Sequence, residues 1–508
     1  METATERAAT VRVAEALAEH PAVRRASVRA AGHGLVAYVE VAPDLLSSRG
    51  PAATHLLRWR TLWSEVYGTS REPRDPSLHL AGWISSYTGM PIRETEMKEW
   101  VERTVERLLD PAPRRVLEIG CGTGMLLLRV ACRCPEAVAT DFSPEALAYV
   151  RGRLDAEGLS HVTLLQRDAD DFTGLDEARF DLVVLNSVVQ YFPSLDYLLR
   201  VLAGAVAAAA RGGRIFLGDL RSLPLLEAFH VSVQLQQADA ATPLDELRER
   251  VQTAVSQERE LVINPALFAA LPGMLPGVDR VEVQLKRGRA RNELTRFRYD
   301  AVLHLTGGSA AGPEPQRWLE RGDPDAAPAA LRRRLAAEAP PLLGVRRVPN
   351  ARLAAEVEAL RLLREGGTLR TVGDLQEALR RARPAGVEPE EFWSLERELP
   401  YRVEIRWADD GAEGLYDVLL RHREKTGEPV RPAAAPSVKP AVWANRPLRE
   451  RGEPELTTEL EDFLRGRLPE ELVPVSLVLL DKLPPAAAST TRTTGPWTRP
   501  PEEGGLRR

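Results

Sequence analysis

Val116-Leu117-Glu118-Ile119-Gly120-Cys121-Gly122-Thr123-Gly124 decides how this chain folds. Val116 to Ile119 reads as a short buried strand. Gly120, Gly122 and Gly124 then turn the chain, and Met125 to Ala131 reads as an apolar helix. Glycine at alternate positions lets the backbone take positive φ and approach a ligand without a Cβ in the way. A helix beginning there brings unpaired N–H groups to the same corner. Strand, glycine turn and helix in this order form the ligand-binding corner of a doubly wound α/β fold.

The glycines alone leave the ligand open. A tight βα turn with no ligand uses the same residues, and a dinucleotide site prefers G-x-G-x-x-G. Here the spacing is G-x-G-x-G, with Glu118 inside the strand. That pattern resembles motif I of the class I S-adenosylmethionine-dependent methyltransferases. The next strand, Ala137 to Thr140, runs into Asp141, placed to accept from both hydroxyls of a ribose.

Composition narrows the setting. A chain of 508 residues is long enough for two or three domains. A net charge of −5 gives no general electrostatic case for nucleic acid or an anionic membrane. The three cysteines, Cys121, Cys132 and Cys134, cluster at the glycine corner and suggest no disulfide framework. Cys132-x-Cys134 lacks the second pair of ligands a metal site needs, so no metal is expected. No apolar run approaches a membrane span, and the N-terminus lacks a signal-peptide core. A cytoplasmic protein is the expectation.

The two ends of the chain share a vocabulary. Residues 10–20 read as a helix, followed by strands over Val23–Val28 and Leu35–Val41, too little to fold alone. Val13-Ala14-Glu15-Ala16-Leu17, His20-Pro21-Ala22-Val23 and Leu35-Val36-Ala37-Tyr38-Val39 resemble the small C-terminal subdomain of non-ribosomal peptide synthetase adenylation domains. Trp443-Ala444-Asn445-Arg446-Pro447, a helix around Leu460 to Leu468, and Leu468 to Pro484 resemble the close of the same subdomain. That family continues with a Gly-Lys pair whose lysine engages the acyl-adenylate. Here Pro485 follows and no lysine occurs after Lys482. The resemblance therefore implies a remnant without adenylation activity, split around a large insertion, with a scaffolding or docking role.

Within the insertion, Trp59, Trp63 and Tyr67 recur at helical spacing and read as core packing. Gly82 to Ile92 is a polar loop with aromatics ahead of a helix over Glu94–Leu109, and looks like a lid. An aromatic face attracts cations, so Tyr87 is the first candidate to meet a sulfonium. After the glycine corner come a helix over Pro144–Leu154 and a strand over Val162–Gln166. Asp170-Asp171-Phe172 follows, where the resemblance places an adenine contact: Asp170 for the amine, Phe172 for the ring face; a solvated turn is the alternative. A strand over Phe180–Leu185 leads into Asn186-Ser187-Val188-Val189-Gln190-Tyr191. Asn186 is expected at the methionine part of the cofactor, and Gln190 or Tyr191 toward the transferable carbon. Then come a helix over Leu195–Ala210, a turn at Arg211-Gly212-Gly213, a strand over Arg214–Gly218, and Asp219. A final helix over Leu225–Gln237 carries Glu227 and His230 on one face.

From Trp83 to His304 the chain resembles methyltransferase domains embedded in non-ribosomal peptide and polyketide synthetases. The matching stretches are Trp83 to Gly89, the glycine motif, Asn186 to Pro193, Gly218-Asp219-x-Arg221-Ser222-Leu223-Pro224, and Asn292 to Asp300. The likeness extends into Val348 to Arg352, Trp393, Pro400-Tyr401 and Tyr416 to Val418. It implies a class I, Rossmann-like α/β fold inserted in a small split α+β subdomain. The expected divisions are 1–50, first half of the remnant; 54–306, methyltransferase with lid; 307–340, linker or peripheral segment; 341–425, appended α/β part; 441–485, second half of the remnant; and 486–508, a disordered tail.

The resemblance implies S-adenosylmethionine as cofactor, held by Glu118, Gly120, Gly122, Gly124, Asp141, Phe142, Asp170, Phe172, Asn186, Ser187 and Gln190. Tyr87, Tyr191, His230 and Asp219 are the expected catalytic groups, with His230 as base and Asp219 or Glu227 orienting it. The expected reaction is methyl transfer in trans to the amino nitrogen of an aminoacyl group on a carrier protein. Carbon or oxygen methylation stays open. A second reading is cyclisation of the cofactor to azetidine-2-carboxylate with release of methylthioadenosine, as in azetidine-2-carboxylate synthases. A third is a non-catalytic docking remnant, against which the intact glycine corner, Asp141 and Asn186 argue.

Overall fold

The structure is a computed structural model. It describes residues 4–425, apart from 21, 32–33, 42–48, 71–72, 176–178, 309–314, 316–317, 321, 384 and 410, and then 442–447, 459–469, 472–474 and 476–480. The chain divides into two compact units, Met1–Leu56 with Arg446–Arg508, and Leu57–Asn445. The expected tail over 486–508, and Lys482 with the residues after it, lie outside the described residues.

In the smaller unit, helix α1 (Ala4–Ala18) precedes an antiparallel hairpin of β1 (Val23–Ala31) and β2 (Gly34–Val41). Strand Ser476–Leu480, over four hundred positions away, pairs in parallel with β2. Val13, Leu17, Ala37 and Val39 share a core with Leu460, Leu464 and Leu468. Neither end supplies enough apolar surface alone, so the core closes only when both are present.

The larger unit is built on a seven-stranded sheet. Its parallel strands are β3 (Arg115–Ile119), β4 (Glu136–Asp141), β5 (Val162–Gln166), β6 (Phe180–Asn186) and β7 (Ala209–Arg221). Two antiparallel strands, β8 (Val278–Leu285) and β9 (Arg298–Leu305), complete the order β5-β4-β3-β6-β7-β9-β8. The chain leaves β3 toward β5 on one side and returns to β6 on the other. That reversal opens a crevice at the carboxyl ends of β3 and β6, where doubly wound sheets bind ligands.

Local chemistry sets the helices between the strands. Helix Pro144–Glu157 starts with Ser143, whose Oγ accepts from Ala146 N, and Pro144 in the first turn; it stops at Gly158 with φ +70°. Ser194 caps helix Leu195–Ala208 in the same manner. The expected Arg211-Gly212-Gly213 turn is instead a bulge inside β7, because Phe180 pairs with Ala209 while Leu182 pairs with Arg214. Gly212 N donates to Thr306 O at 3.0 Å, so β9 keeps the segment in the sheet. Gly212 takes φ +75°, and a Cβ there would lie 3.0 Å from Gly307 O.

A second sheet in the same unit has the order β10-β11-β13-β12, from Trp318–Leu319, Leu342–Pro349, Leu415–His422 and Tyr401–Trp407. Two expected divisions change here. The stretch 307–340, expected as linker, supplies β10 and a helix Pro328–Glu338 that buries Leu331 and Leu335. Trp443 to Asn445, expected with the second half of the remnant, belong to the larger unit, because their backbone pairs with Val262 to Asn264. Arg352 fastens the second sheet to the end of β8: it is buried and donates to Lys286 O and Gly288 O while pairing with Glu388.

Candidate active site

The glycine corner is held by its neighbour strand. Gly120 N and Cys121 N both donate to Thr140 O, and Gly122 N donates to Asp141 Oδ2 at 2.8 Å. Gly120, Gly122 and Gly124 have φ of +73°, +51° and +78°, the left-handed region that glycine enters freely. The following helix is short, Leu127–Ala131, because Met125 and Leu126 are still in the turn. Asp141 Oδ1 accepts from Ser143 N at 2.9 Å, so both its oxygens are oriented while each keeps a further lone pair. Burial raises the Asp141 carboxyl above its usual range. Burial, with Asp141 adding, pushes Glu118 up to about 8. Two carboxyls in one dry corner disfavour each other's charge.

Residues of helix Arg49–Thr69 cover this corner. A Cβ on Gly122 would sit 3.1 Å from the Tyr67 hydroxyl, and one on Gly82 would collide with Trp63. Trp59 and Trp63 stack at 4.5 and 5.5 Å against Tyr191, and Trp63 lies 5.2 Å from Tyr67. This aromatic stripe, read from spacing as core packing, is a roof over the glycine turn. Arg60, from the same helix, pairs with Asp168 and lies 6.0 Å over the Phe142 ring.

The residues after β5 have different neighbours. Asp170 accepts from the Tyr197 hydroxyl at 2.9 Å, on helix Leu195–Ala208. The Phe172 ring packs on Gly204 of that helix, where a Cβ would come within 2.3 Å. Both expected adenine contacts are thus committed to a neighbouring helix. Asp168, two positions past the strand, and Phe142, directly after Asp141, are the pair bridged by Arg60.

At the ends of β6 and β7 the groups are densely bonded. Asn186 lies opposite Gly218, whose missing Cβ leaves room for the amide: Asn186 Oδ1 would be 2.0 Å from it. Asn186 Nδ2 donates to Ser187 Oγ at 3.2 Å, while Oδ1 is buried with no partner among the described residues. An orphaned buried acceptor is costly unless something completes it. A bound ligand with N–H donors fits that position.

Asp219 is fully buried. It accepts from Trp100 Nε1 at 3.2 Å, Ser187 Oγ at 2.8 Å and Arg298 at 2.5 Å, with Lys286 Nζ 3.6 Å away. Burial alone would raise its carboxyl, but Arg298 and Lys286 outweigh that and hold it below the usual range. Asp219 is therefore a structural anchor and does not orient His230. Glu227, the other expected partner, pairs with Arg364.

The carboxylate beside His230 is Glu258. His230 Nε2 lies 3.3 Å from Glu258 Oε2, and Arg221 donates at 2.8 Å to Glu258 and at 2.8 Å to Glu260. The His230, Glu258 and Arg221 side chains are only 13%, 10% and 12% exposed. Burial opposes charge on Glu258, yet hydrogen bonds from His230 and Arg221 hold it well below the ordinary carboxylate range. Leu261 N donates to Gln190 O at 2.8 Å, which sets this acidic segment against Gln190 and Tyr191. Gln190 is buried, and burial raises the Tyr191 phenol well above its ordinary value.

The loop carrying Tyr87 is pinned. Ser86 N donates to Glu293 at 2.8 Å, Tyr87 shares a hydrogen bond with Ser232 at 2.8 Å, and Arg296 donates to the Tyr87 hydroxyl at 3.3 Å. Arg296 also stands 5.7 Å from the Tyr87 ring centroid, so one cation already occupies that ring. Cys132 is exposed and Cys134 buried, so the pair faces two ways. Among the described residues no group of three or more His, Cys, Asp or Glu could hold a metal ion.

Residues 117–215 match the family model described as a methyltransferase domain. Chondramide synthase cmdD of Chondromyces crocatus is 43% identical over 475 residues, 92% of this chain and 12% of that protein. The probable non-canonical non-ribosomal peptide synthetase CymA of Salinispora arenicola is 35% identical over 480 residues, 93% of this chain and 6% of the relative. Non-ribosomal peptide synthetase asqK of Emericella nidulans is 31% identical over 468 residues, covering 89% and 18%. The chain thus spans a small part of each relative's length. Residues 117–215 are thus similar to a methyltransferase domain, and the sheet order and glycine turn around them are those of the class I, S-adenosylmethionine-dependent methyltransferase fold.

Proposed function

We propose that this chain methylates the amino nitrogen of an aminoacyl group borne on a carrier protein of a non-ribosomal peptide pathway. The observation that carries this reading is His230 beside Glu258 and Arg221, next to the segment that abuts Gln190 and Tyr191. Bound S-adenosylmethionine supplies a methyl carbon already activated on a sulfonium. What the protein adds is position, dryness and management of one proton.

An amine arrives at neutral pH as an ammonium ion and must lose a proton before it attacks. With Nε2–H donating to Glu258, His230 keeps Nδ1 as the accepting nitrogen. Glu258, kept ionised by Arg221, then stabilises the imidazolium formed when the proton is taken. Asp141, Asn186 and the three glycines would hold the cofactor, with Asp168 and Phe142 toward its base. Tyr67, Trp63 and Trp59 keep water from the corner. Two of the relatives named above are described as non-ribosomal peptide synthetases, which supports the substrate class. The smaller unit would serve as a scaffold or docking surface.

The test is to incubate the protein with S-adenosylmethionine and an aminoacylated carrier protein, and to follow S-adenosylhomocysteine and the mass of the carrier by mass spectrometry. An increment of one methyl on the amine is expected. His230→Gln should lower the rate by about 10²–10⁴-fold while cofactor affinity by calorimetry holds. Methylthioadenosine with an azetidine amino acid from the cofactor alone would replace this reading by cyclisation.

A further inference from the structure

The segment that carries Glu258 and Glu260 is held from both sides. On one side Ile263 N donates to Arg221 O at 3.0 Å and Leu223 N to Ile263 O at 3.1 Å, so it continues the end of β7. On the other side stands Trp443-Ala444-Asn445, about 180 positions later. Asn264 N donates to Trp443 O at 2.8 Å, Asn445 N to Val262 O at 3.2 Å, and Ala444 bridges Ile263 in antiparallel register. The Asn445 side chain does more than add a rung. Its Oδ1 accepts from Val262 N at 2.8 Å, and its Nδ2 donates to Glu260 O at 2.9 Å. One amide therefore grips a donor and an acceptor of the same short stretch.

We infer that Asn445 is a positioning residue of the methyl-transfer site, acting through Glu258 on His230; this rests on the methyl-transfer reading above. The path runs atom by atom. Asn445 Nδ2 holds the Glu260 carbonyl, Glu260 N donates to Glu258 Oε1 at 3.1 Å, and Glu258 Oε2 faces His230 Nε2 at 3.3 Å. Arg221 ties the two glutamates together from the other side. Without the amide, Glu260 is free to turn its carbonyl. The N–H that orients Glu258 belongs to the same residue, across two soft dihedrals from that carbonyl, so releasing the carbonyl removes one of the restraints that keep the N–H in place. Only a side chain with a donor and an acceptor on one planar group serves both contacts at this length, which is what asparagine offers. Asn445 closes the larger unit in the chain, so a residue remote from the glycine motif completes the base.

The test uses the full chain, with Asn445→Asp, Asn445→Ala, Glu258→Gln and the double variant Asn445→Ala/Glu258→Gln. Asn445→Asp keeps size and acceptor, removes the donor and adds a negative charge, and Asn445→Ala, which adds no charge, separates the two effects. Hydrogen exchange should speed up in residues 258–264 and stay unchanged at the glycine corner. Cofactor affinity should hold within about twofold, while kcat falls about tenfold or more and the acid limb of the pH–rate profile moves. In the Glu258→Gln background, Asn445→Ala should cost little more, because the two act on one path. Unchanged kcat and pH profile, or additive losses in the double variant, would overturn the inference. So would a parallel fall of cofactor affinity and melting temperature with the rate in both Asn445 variants. A wild-type protein that forms no S-adenosylhomocysteine with a loaded carrier would instead overturn the methyl-transfer reading itself.

Discussion

Ser187 directly follows β6 and Asp219 lies near the carboxyl end of its parallel neighbour β7, both at positive φ (+56° and +64°), and Ser187 Oγ donates to Asp219 Oδ2 at 2.8 Å. Two non-glycine residues in the left-handed region, joined by one hydrogen bond, mark strain held by its surroundings. Arg298 and Lys286 supply those surroundings through charge, and Asp300 accepts from Asp219 N at 2.9 Å and from Lys286 at 2.9 Å. Asp219→Asn keeps a residue that tolerates left-handed backbone but leaves two buried cations short of a counter-charge. Denaturant unfolding should show a loss of about 3–5 kcal/mol. A loss under about 1 kcal/mol would remove the anchor role from Asp219.

With Glu118 at the proposed cofactor site, its titration is expected to set the pH response of cofactor binding. Its pKa is pushed up to about 8 by burial and by Asp141, so in the free protein it is protonated at neutral pH. A cationic ligand in the crevice favours the ionised form, and binding then releases a proton. Affinity for S-adenosylmethionine by calorimetry should therefore rise from about pH 6 to about pH 8 and level off above. Glu118→Gln should flatten that rise. Stability moves the other way. The folded state binds this proton more tightly than the unfolded chain does, so Glu118 costs increasing stability as pH climbs from the unfolded pKa to the folded one. The variant should be more stable than the parent at alkaline pH, by thermal melting, and a variant less stable there would contradict the assignment.

Asp168 and Asp170 separate by readout. Asp168→Ala should weaken cofactor binding by about tenfold, the loss of one good hydrogen bond to a charged group. Asp170→Ala should leave affinity nearly unchanged and cost about 1 kcal/mol of stability, because the Tyr197 hydroxyl loses its acceptor. The reverse pattern in a binding titration would return the adenine contact to Asp170.

Gly122→Ala tests the roofed corner. The substitution forces a side chain into φ +51° and brings a Cβ to 3.1 Å from the Tyr67 hydroxyl. About 1–2 kcal/mol of strain is expected from the backbone alone. Tyr67→Phe in the same background removes the atom in the way. It should recover part of the lost cofactor affinity, measured by calorimetry, and no recovery would place Tyr67 away from the glycine turn.

Much of this protein was legible in its sequence because the signals are local. Alternating glycines and apolar runs of strand length act through backbone sterics and near neighbours. They placed β3 to β6, the glycine corner and Asp141 without reference to anything distant. The sequence also carried His230 as a titratable group on the helix after β7. What it could not carry was who stands beside whom across the chain. Asp219 and Glu227 are nearer to His230 in sequence than Glu258, yet the return of the chain past Gln190 brings Glu258 to the imidazole. Trp59, Trp63 and Tyr67 have the spacing of any core helix, and only the packed structure turns that face onto Gly122 and Tyr191. Asp170 and Asp168 are equivalent in composition and differ only in which neighbour, Tyr197 or Arg60, claims each. Asn445 reaches Glu260 across about 180 residues. Periodicity records the face a residue presents, whereas partnership depends on loop closure and on the burial that rewards it, and those are decided only when the whole unit packs.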